Sequence, residues 1–339
     1  MVEVWSKAPL RIGLAGGGTD LSHYSNLFGG EVVNATIGFY VHTRIRPSES
    51  GLVEIISHDN GITESHTPGT LEFRDAPLFS ASYNHICSLV GKFPTIRIES
   101  FSDSPVGSGL GTSSTLCVTL ISALSEYMGL GLSNLEIAEK AYQIERLECG
   151  FNGGKQDQYS AAFGGFNHIS FNTDGSVEIE SINVDVDFIS ELETRFVLLF
   201  SGKSRDSSAV IDEQEVAALN SDSNYHIYLH RIKEEAKIMR KSLTDRDVDS
   251  MCSSLNRSWL AKKNSSRFVS NQQIDEIIEM ALESGATSAK VSGAGGGGFI
   301  LFSVEFAKRL TFLEKMSEKF FDVRIVNFSS AGVRSWRRE

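Results

Sequence analysis

The amino-acid sequence predicts an α+β protein of two domains, and three observations support this fold class. The chain has 339 residues, which is more than one domain usually contains. Residues 2–105 are dominated by strand patterns rich in β-branched and aromatic residues. Beyond about residue 180 the pattern changes to a β-α-β-β-α-β order, which is typical of ferredoxin-like domains. We therefore expect a mixed sheet with helices over residues 1–190 and a ferredoxin-like domain over residues 191–339.

The first domain should contain one large sheet interrupted by helices. Its expected strands are EVWSKA, RIGLA, EVVNATIGFYVHTRIR, LVEIIS and TIRIESFS. Helices are expected at 20–27 and at 79–90. A longer helix should end at Gly129, because Leu and Met residues recur at every fourth position before this glycine.

A further helix should follow, because Ser133 and Glu136 have the spacing of a capping box. It should end near Gly150, and residues 152–165 should then form a second glycine-bearing loop.

The second domain should begin near the polar segments of residues 185–195. We expect the two halves to pack directly, with the ligand between them. The predicted strands lie at 195–200, around Val291, at 299–304 and at 323–328, and the predicted helices lie between 207 and 283 and at 305–320.

The composition limits the classes of partner. A formal net charge of −11 argues against general binding to nucleic acid or anionic membranes, and an anionic substrate would need a local basic pocket. The cysteines are scattered without CxxC spacing, which indicates reduced residues in a cytoplasmic protein. No signal-peptide pattern opens the chain, and no uncharged run reaches about 18 residues. The sequence leaves open whether the protein is a monomer or a homodimer.

The loop PVGSGLGTSST, immediately before the long helix, has the composition of a phosphate-binding loop. Its glycines allow the backbone to approach an anion, the helix N-terminus adds a positive dipole, and the hydroxyls can meet phosphate oxygens or a metal ion. Alone, such a loop could equally be a tight turn with a Ser/Thr cap, and it lacks the GK[ST] ending of a Walker A loop. The candidate nucleotide-binding residues are Pro105, Gly107, Ser108, Gly109, Leu110, Gly111, Thr112, Ser113 and Ser114.

Three other loops accompany it: SKAPLRIGLAGGGTD at 6–20, GGKQDQYSAAFGG at 153–165 and KVSGAGGGGFILF at 290–302. The first is not a Rossmann fingerprint, because GLAGGG does not follow the GxGxxG pattern. Any one of them could be a hairpin or a bulge. Together with the phosphate-binding loop they indicate nucleotide chemistry.

The motifs SKAPLRIGLAGGGTD, PVGSGLGTSST and KVSGAGGGGF, in this order and at these distances, resemble the three signature motifs of the GHMP kinases. The resemblance spans nearly the whole chain and implies the two-domain GHMP kinase fold. With GGKQDQYSAAFGG included, the sequence is most similar to the subgroup that phosphorylates the anomeric hydroxyl of D-glycero-D-manno-heptose 7-phosphate with ATP and Mg²⁺. It departs from mevalonate kinase (APLRI in place of APGKV) and from galactokinase (GGGTD in place of EHTDY).

The resemblance implies roles for four charged or hydroxyl residues. Asp157 matches the aspartate that acts as catalytic base or orients the acceptor hydroxyl, and Arg11 matches the cation beside it. Ser113 matches the serine that meets Mg²⁺ or the phosphates, and Glu145 matches the acidic Mg²⁺ ligand. Glu145 also shares one helical face with Ala138 and Ala141, and a charge on an apolar face needs a partner. The alternative to a Mg²⁺ ligand is a solvated edge position or a pair with Arg146.

The remaining implied contacts concern the sugar and the third motif. Asp20 matches an aspartate that binds sugar hydroxyls, and it could also cap the helix that begins at Leu21. Gly17, Gly18 and Thr19 lie in the same motif and are candidate sugar contacts. The third motif would support the phosphate-binding loop through Gly293, Gly295 and Gly296.

Cations are needed if the acceptor already carries a phosphate. Lys155, Lys203 and Arg205 are the candidates, although each could instead be solvated. His226 and His230 lie one helical turn apart, but no third metal ligand is evident.

The sequence thus favours an ATP-dependent sugar kinase with heptose 7-phosphate as acceptor. Another sugar 1-kinase, for fucose or galactose, is the alternative enzyme. A regulator that binds sugar and ATP without turnover is the alternative from another class, although such a protein would not need the complete set of Asp157, Arg11, Ser113 and Glu145.

Overall fold

The computed structural model describes residues 3–202, 210–214, 216 and 224–338. The first half of the chain contains the larger of two sheets, and this sheet is mixed. In chain order its strands are β1 (Glu3–Ala15), β2 (Gly30–Pro47), β3 (Val53–Ser57), β4 (Ile62–His66), β5 (Ile96–Ser102), β6 (Phe166–Phe171), β7 (Val177–Ile182) and, from the end of the chain, β12 (Arg334–Arg338). The strand order is β12-β1-β2-β5-β3-β4, with β6 paired to β2 and to β7. The β3–β5 pair is parallel, so the predicted mixed sheet is confirmed.

The two short strands predicted around Pro9 are one continuous strand, β1. Its pairing with β2 is irregular between Pro9 and Arg11 and again between Gly13 and Ala15. Proline has no N–H to donate to a ladder, so a bulge at this point keeps the strand intact. The first motif is therefore continuous with β1, which pairs with β2 on one side and with β12 on the other.

Helices of the first half pack on this sheet and carry the glycine-rich loops between them. The predicted long helix is confirmed, with Gly129 left-handed at its C-terminus, and so is the capping box of Ser133 and Glu136. The expected loop at 152–165 is mostly helical, which corrects that prediction. The helices are α1 (Ser22–Phe28), α2 (Pro77–Val90), α3 (Thr112–Met128), α4 (Asn134–Tyr142) continued by a π-helix (Gln143–Glu148), α5 (Gln156–Phe163) and α6 (Val186–Arg195).

A second, antiparallel sheet lies in the other half of the chain. Its strands are β8 (Phe196–Phe200), β9 (Ala286–Val291), β10 (Phe299–Val304) and β11 (Val323–Ile325), in the order β11-β8-β10-β9. Its helices are α7 (Tyr225–Asp245), α8 (Val248–Ser265), α9 (Gln272–Glu283), a 3₁₀ turn (Phe306–Lys308) and α10 (Arg309–Lys319). This chain order and strand order confirm the ferredoxin-like β-α-β-β-α-β prediction.

The polar segment expected at the domain boundary is helix α6. Asp185 caps it by accepting hydrogen bonds from two backbone amides, and its apolar residues Phe188 and Leu192 are buried. They belong to a core cluster that also contains residues of β1 and β8, so the two halves pack directly as expected. The division at residue 190 remains a prediction. The last strand, β12, pairs with β1, so the end of the chain belongs to the first sheet.

None of the described helices combines the length and the apolar composition that a bilayer-spanning segment requires.

Candidate active site

The phosphate-binding loop connects β5 to α3, and its conformation depends on glycine. Gly107, Gly109 and Gly111 have φ values of 74°, 79° and 80°, which side chains rarely tolerate. Gly111 is the N-cap of α3 and offers no side-chain cap to the amides of the first turn. Thr112, Ser113 and Ser114 of this turn line a cleft of about 570 Å³. Free amides at the N-terminus of a long helix form a site for anions.

The third glycine motif packs directly on this loop, backbone against backbone. A Cβ added to Gly109 would lie 2.6 Å from the Ser292 carbonyl oxygen, and one added to Gly293 would lie 2.8 Å from the Gly109 Cα. The Phe299 amide donates to the Ser108 carbonyl oxygen at 2.9 Å. The second half of the chain therefore fixes the loop that the first half supplies.

Asp157 and Arg11 form a bidentate pair at one side of the cleft. Arg11 Nε donates to Asp157 Oδ1 at 2.7 Å and Nη2 donates to Oδ2 at 2.6 Å, while Nη1 donates to the Gly109 carbonyl oxygen at 2.5 Å. Arg11 is buried, whereas 18% of the Asp157 side chain is exposed. A Cβ on Gly111 would lie 3.1 Å from Asp157 Oδ2, so this carboxylate adjoins the end of the phosphate-binding loop.

Glu145 lies on the π-helix that continues α4, and its carboxylate faces the same cleft. Ser113 Oγ donates to Oε1 at 2.8 Å, and Gln158 Nε2 donates to Oε2 at 2.6 Å. The Glu145 side chain is only 1% exposed, and Arg146 Nη1 lies 3.4 Å from Oε1. The expected neighbour Ser113 and the alternative partner Arg146 therefore both contact Glu145. Short π-helical turns occur often at functional sites, and here the π-helix carries a residue that lines the cleft.

Arg146 holds the loop that follows the π-helix. Its guanidinium donates to the carbonyl oxygens of Phe151, Asn152 and Gly154 and to Ser114 Oγ, at 3.2 to 3.3 Å. It therefore connects this loop to the first turn of α3.

Asp20 lies in the cleft, but it does not cap α1. The N-cap of this helix is Leu21, and no side chain caps it, which corrects the expected capping role. Asp20 Oδ1 instead accepts from the Gly18 amide at 3.1 Å and from Gln156 Nε2 at 3.0 Å, and Oδ2 accepts from the Gln156 amide at 3.3 Å. Burial, together with the nearby charge of Asp157, raises the pKa of Asp20.

Other residues of the predicted site support the loops without lining the cleft. Thr19 is fully buried, and its hydroxyl donates to the carbonyl oxygens of Gly16 and Glu31. The Gly296 amide donates to the Val269 carbonyl oxygen at 2.8 Å, against which Gly295 also packs. The predicted contact residues that are absent from the cleft lining are Gly17, Thr19, Pro105, Leu110, Gly295 and Gly296.

The side chain of Lys155 points away from the cleft, which corrects the expectation that it reaches an acceptor there. Its Nζ donates to the Gly175 carbonyl oxygen at 3.2 Å and lies 5.1 Å from the centre of the Tyr142 ring, outside the cleft lining. Helix α5 fixes this direction, because Lys155 is its N-cap and Asp157 lies in its first turn. Lys203 and Arg205 lie outside the described residues.

The histidine pair of α7 does not form a metal centre in the part of the chain that the structure describes. His230 Nδ1 is 2.6 Å from the Tyr24 hydroxyl, and the His226 ring packs against Phe28.

Lys262 of α8 lines the cleft, although no sequence motif marks this residue. Its Nζ donates to the Gly293 carbonyl oxygen at 2.5 Å. Burial, together with the nearby charge of Arg11, lowers the pKa of Lys262 to about 8, against the opposing effect of the Asp20 and Asp157 carboxylates. Its neighbour Lys263 has the same type but points elsewhere, to Asp275. Only the packing of α8 distinguishes the two lysines.

A glycine-rich anion site at a helix N-terminus, with a carboxylate–arginine pair beside it, defines a nucleotide-dependent phosphotransferase. The similarity of the sequence to known protein families leads to the same class. Residues 78–165 match the family described as GHMP kinases N terminal domain, and residues 239–322 match GHMP kinases C terminal. The chain belongs to the GHMP kinase family, whose members phosphorylate an alcohol with ATP.

Within this family, the chain is similar to several sugar kinases. The chain is 37% identical to the D-glycero-alpha-D-manno-heptose 7-phosphate kinase of Campylobacter jejuni, over 99% of this chain and 100% of that protein. The crystal structure of a D-glycero-D-manno-heptose 1-phosphate kinase from Bacteroides thetaiotaomicron is 34% identical, with a TM-score of 0.82 and 98% of both chains covered. A bifunctional fucokinase/GDP-fucose pyrophosphorylase of Arabidopsis thaliana is 29% identical over 69% of this chain and 22% of that protein.

The pKa of Lys262 predicts a specific pH dependence of stability. Burial lowers this pKa from 10.5 to about 8 in the folded protein, so between these values the unfolded chain holds a proton that the folded chain has lost. Raising the pH through this window should therefore stabilise the wild type relative to Lys262→Met, by about 1 to 3 kcal/mol. Urea unfolding of both proteins at several pH values measures this difference. Lys263→Met is the control, and a difference from Lys262→Met that stays constant with pH would contradict the burial of a titrating lysine.

Proposed function

We propose that the protein transfers the γ-phosphoryl group of ATP to the anomeric hydroxyl of D-glycero-D-manno-heptose 7-phosphate, giving the 1,7-bisphosphate. The observation that carries this proposal is the contact between Asp157, held by Arg11, and the end of the phosphate-binding loop at Gly111. A donor bound by the loop and an acceptor hydroxyl bound by Asp157 would lie next to each other. The choice of sugar rests on the full-length similarity to the Campylobacter heptose 7-phosphate kinase.

Asp157 can orient the acceptor although Arg11 already occupies it. A carboxylate has about four lone-pair positions, and Arg11 uses two of them. The partly exposed side can still accept the acceptor hydroxyl and its proton. Phosphoryl transfer depends mainly on positioning of the reactants and on neutralisation of charge. The paired Asp157 carboxylate, next to the phosphate-binding loop, would position the acceptor.

Residues that could hold Mg²⁺ are present in the first turn of α3 and on the π-helix. Mg²⁺ prefers oxygen ligands and is usually held by one or two carboxylates together with substrate phosphates. The buried Glu145 carboxylate and the Ser113 hydroxyl fit this preference, because they already contact each other at the mouth of the loop. When bound there, Mg²⁺ would neutralise charge on the phosphate oxygens of ATP.

Asp20 is suited to bind a sugar hydroxyl. Gln156 and the Gly18 amide fix its carboxylate, and Asp157 lies close enough to raise its pKa beyond the effect of burial. Two neighbouring carboxylates in one cleft can accept hydrogen bonds from adjacent hydroxyls of one sugar. The same argument holds for fucose or galactose, so a sugar 1-kinase for an unphosphorylated sugar is the second candidate, supported by the fucokinase relative.

We place the enzyme in the cytoplasm, without nucleic-acid or membrane partners. The net charge of −11 and the free state of all four cysteines support this placement.

The direct test is a panel of sugars and sugar phosphates, with ATP consumption and product mass as readouts. We expect turnover with heptose 7-phosphate and little with unphosphorylated sugars. Preference for fucose or galactose would favour the second candidate, and ATP binding without any turnover would favour the regulator.

We expect Asp157→Asn to lower kcat roughly 10²- to 10⁴-fold, because an amide does not accept the hydroxyl proton. Loss of the charge opposite buried Arg11 should also cost stability, about 1.5 to 3 kcal/mol. Calorimetric titration with ATP serves as the control, since nucleotide affinity should stay nearly unchanged in the folded variant. Turnover at the wild-type rate would remove Asp157 from the reaction.

Ser113→Ala and Glu145→Gln should raise the Mg²⁺ concentration needed for half-maximal activity, because the first removes a hydroxyl oxygen and the second removes the negative charge of the carboxylate. The measurement is initial rate against Mg²⁺ at constant ATP. Glu148→Gln is a matched control, since Glu148 lies on the same π-helix but pairs with His85. An unchanged Mg²⁺ requirement in both site variants would show that the metal is bound elsewhere.

The 7-phosphate of the acceptor requires a cation, and Lys203 and Arg205 remain our candidates because they follow β8. Truncating the right one to Ala should raise the acceptor KM roughly 10- to 100-fold and leave the KM for ATP unchanged. Lys155→Ala is the control, because Lys155 Nζ binds the Gly175 carbonyl oxygen. If both variants keep the wild-type acceptor KM, neither residue binds the phosphate.

A further inference from the structure

The cations of the cleft differ in how fully they are already engaged. Three of the described cleft-lining residues are cationic: Arg11, Arg146 and Lys262. Every guanidinium nitrogen of Arg11 donates to Asp157 or to Gly109. Every guanidinium nitrogen of Arg146 donates to a backbone carbonyl or to Ser114. Both arginines therefore hold protein groups in place.

Lys262 is different, because a single hydrogen bond to the described residues engages its ammonium group. This bond goes to the Gly293 carbonyl oxygen, and a lysine can donate three. The residue is buried, with 6% of its surface exposed. A buried charge without a full set of partners is costly, so its presence in a cleft that receives an anion indicates a partner that arrives with the ligand.

The position of Lys262 indicates which anion this is. Gly293, to which it is bonded, packs on Gly109 of the phosphate-binding loop. In the other direction, Lys262 Nζ and Gln156 Nε2 both lie 3.9 Å from the position that a Cβ on Gly17 would occupy. Its ammonium thus lies between the donor loop and the acceptor side, where Gln156 holds Asp20.

We propose that Lys262 binds the γ-phosphoryl group of ATP and stabilises it during transfer to the acceptor, an assignment that rests on the proposed kinase function. In this step the bond between the γ-phosphorus and the ADP oxygen breaks, and a bond between that phosphorus and the acceptor oxygen forms. The hydroxyl proton passes to Asp157, and Lys262 keeps its own protons. A lysine acts here as a point charge. The second half of the chain then contributes a residue to the transfer itself.

The test compares ligands that differ by the γ-phosphoryl group. We expect Lys262→Met to weaken binding of AMP-PNP about 10- to 100-fold in calorimetric titrations with Mg²⁺, and to change ADP affinity less than about threefold. Lys262→Arg should restore part of the discrimination. Lys263→Met is the matched control, because it removes the adjacent lysine of α8, which pairs with Asp275 instead.

The alternatives give different results. Equal losses for ADP and AMP-PNP would show that Lys262 only supports the loop through Gly293. Unchanged nucleotide binding with a raised acceptor KM would assign it to the acceptor phosphate. Either result overturns the proposal. Because the titrations need no acceptor, they remain decisive even if heptose 7-phosphate proves not to be the substrate.

The pH profile gives a second readout, which also applies if Lys262→Met does not fold. Burial and Arg11 lower the pKa of Lys262 to about 8, and the carboxylates of Asp20 and Asp157 oppose them. Lys290 is a further cation nearby, and Lys262 helps to lower its pKa. We expect wild-type kcat/KM for ATP to fall as pH rises above this value, whereas Lys262→Arg, which stays charged, should keep its activity to higher pH. Identical alkaline limbs in the two proteins would contradict the proposal.

Discussion

The backbone contact between Gly109 and the Ser292–Gly293 segment is the constraint on which the rest of the site depends. Neither glycine could carry a Cβ here, because the added atom would lie within 3 Å of the opposing backbone. The contact joins the phosphate-binding loop of the first half to the third motif of the second half. The Gly109 carbonyl also receives Arg11, which in turn orients Asp157. One close approach therefore sets the distance between the phosphate-binding loop and the Asp157 carboxylate.

The electrostatics of the cleft follow from where its charges are buried. The protein carries a net charge of −11, yet three cations of the described residues line a cleft that also holds Asp20, Glu145 and Asp157. Acidic residues alone would repel ATP, and unpaired arginines would be costly to bury. Pairing Arg11 and Arg146 with protein groups solves the second problem, and Mg²⁺ with Lys262 would solve the first. The lowered pKa of Lys262 and the raised pKa of Asp20 are both consequences of the same burial.

Sequence reasoning succeeded where a local rule determines the structure, and it failed where packing does. The Ser133–Glu136 capping box and the end of α3 at Gly129 follow from neighbouring residues, and both were predicted correctly. The strand–helix order fixed the second sheet, since few topologies fit it. Residues 156–163 and 186–195 were missed as helices, because short polar segments carry little periodic signal. The direction of Lys155 and the difference between Lys262 and Lys263 depend on how helices pack, which no local pattern encodes.

The position of Lys262 makes the relation between the two halves part of the chemistry. Helix α8 packs against β9, and residues of α8 share a core cluster with β1, the strand that carries Arg11. A change in this core would displace Lys262 and Arg11, which are bonded to Gly293 and to Gly109 of the phosphate-binding loop. Because phosphoryl transfer is sensitive to displacements of about 1 Å, core packing far from the cleft should affect turnover. The interface between the halves is therefore as much a determinant of the reaction as the residues that line the cleft.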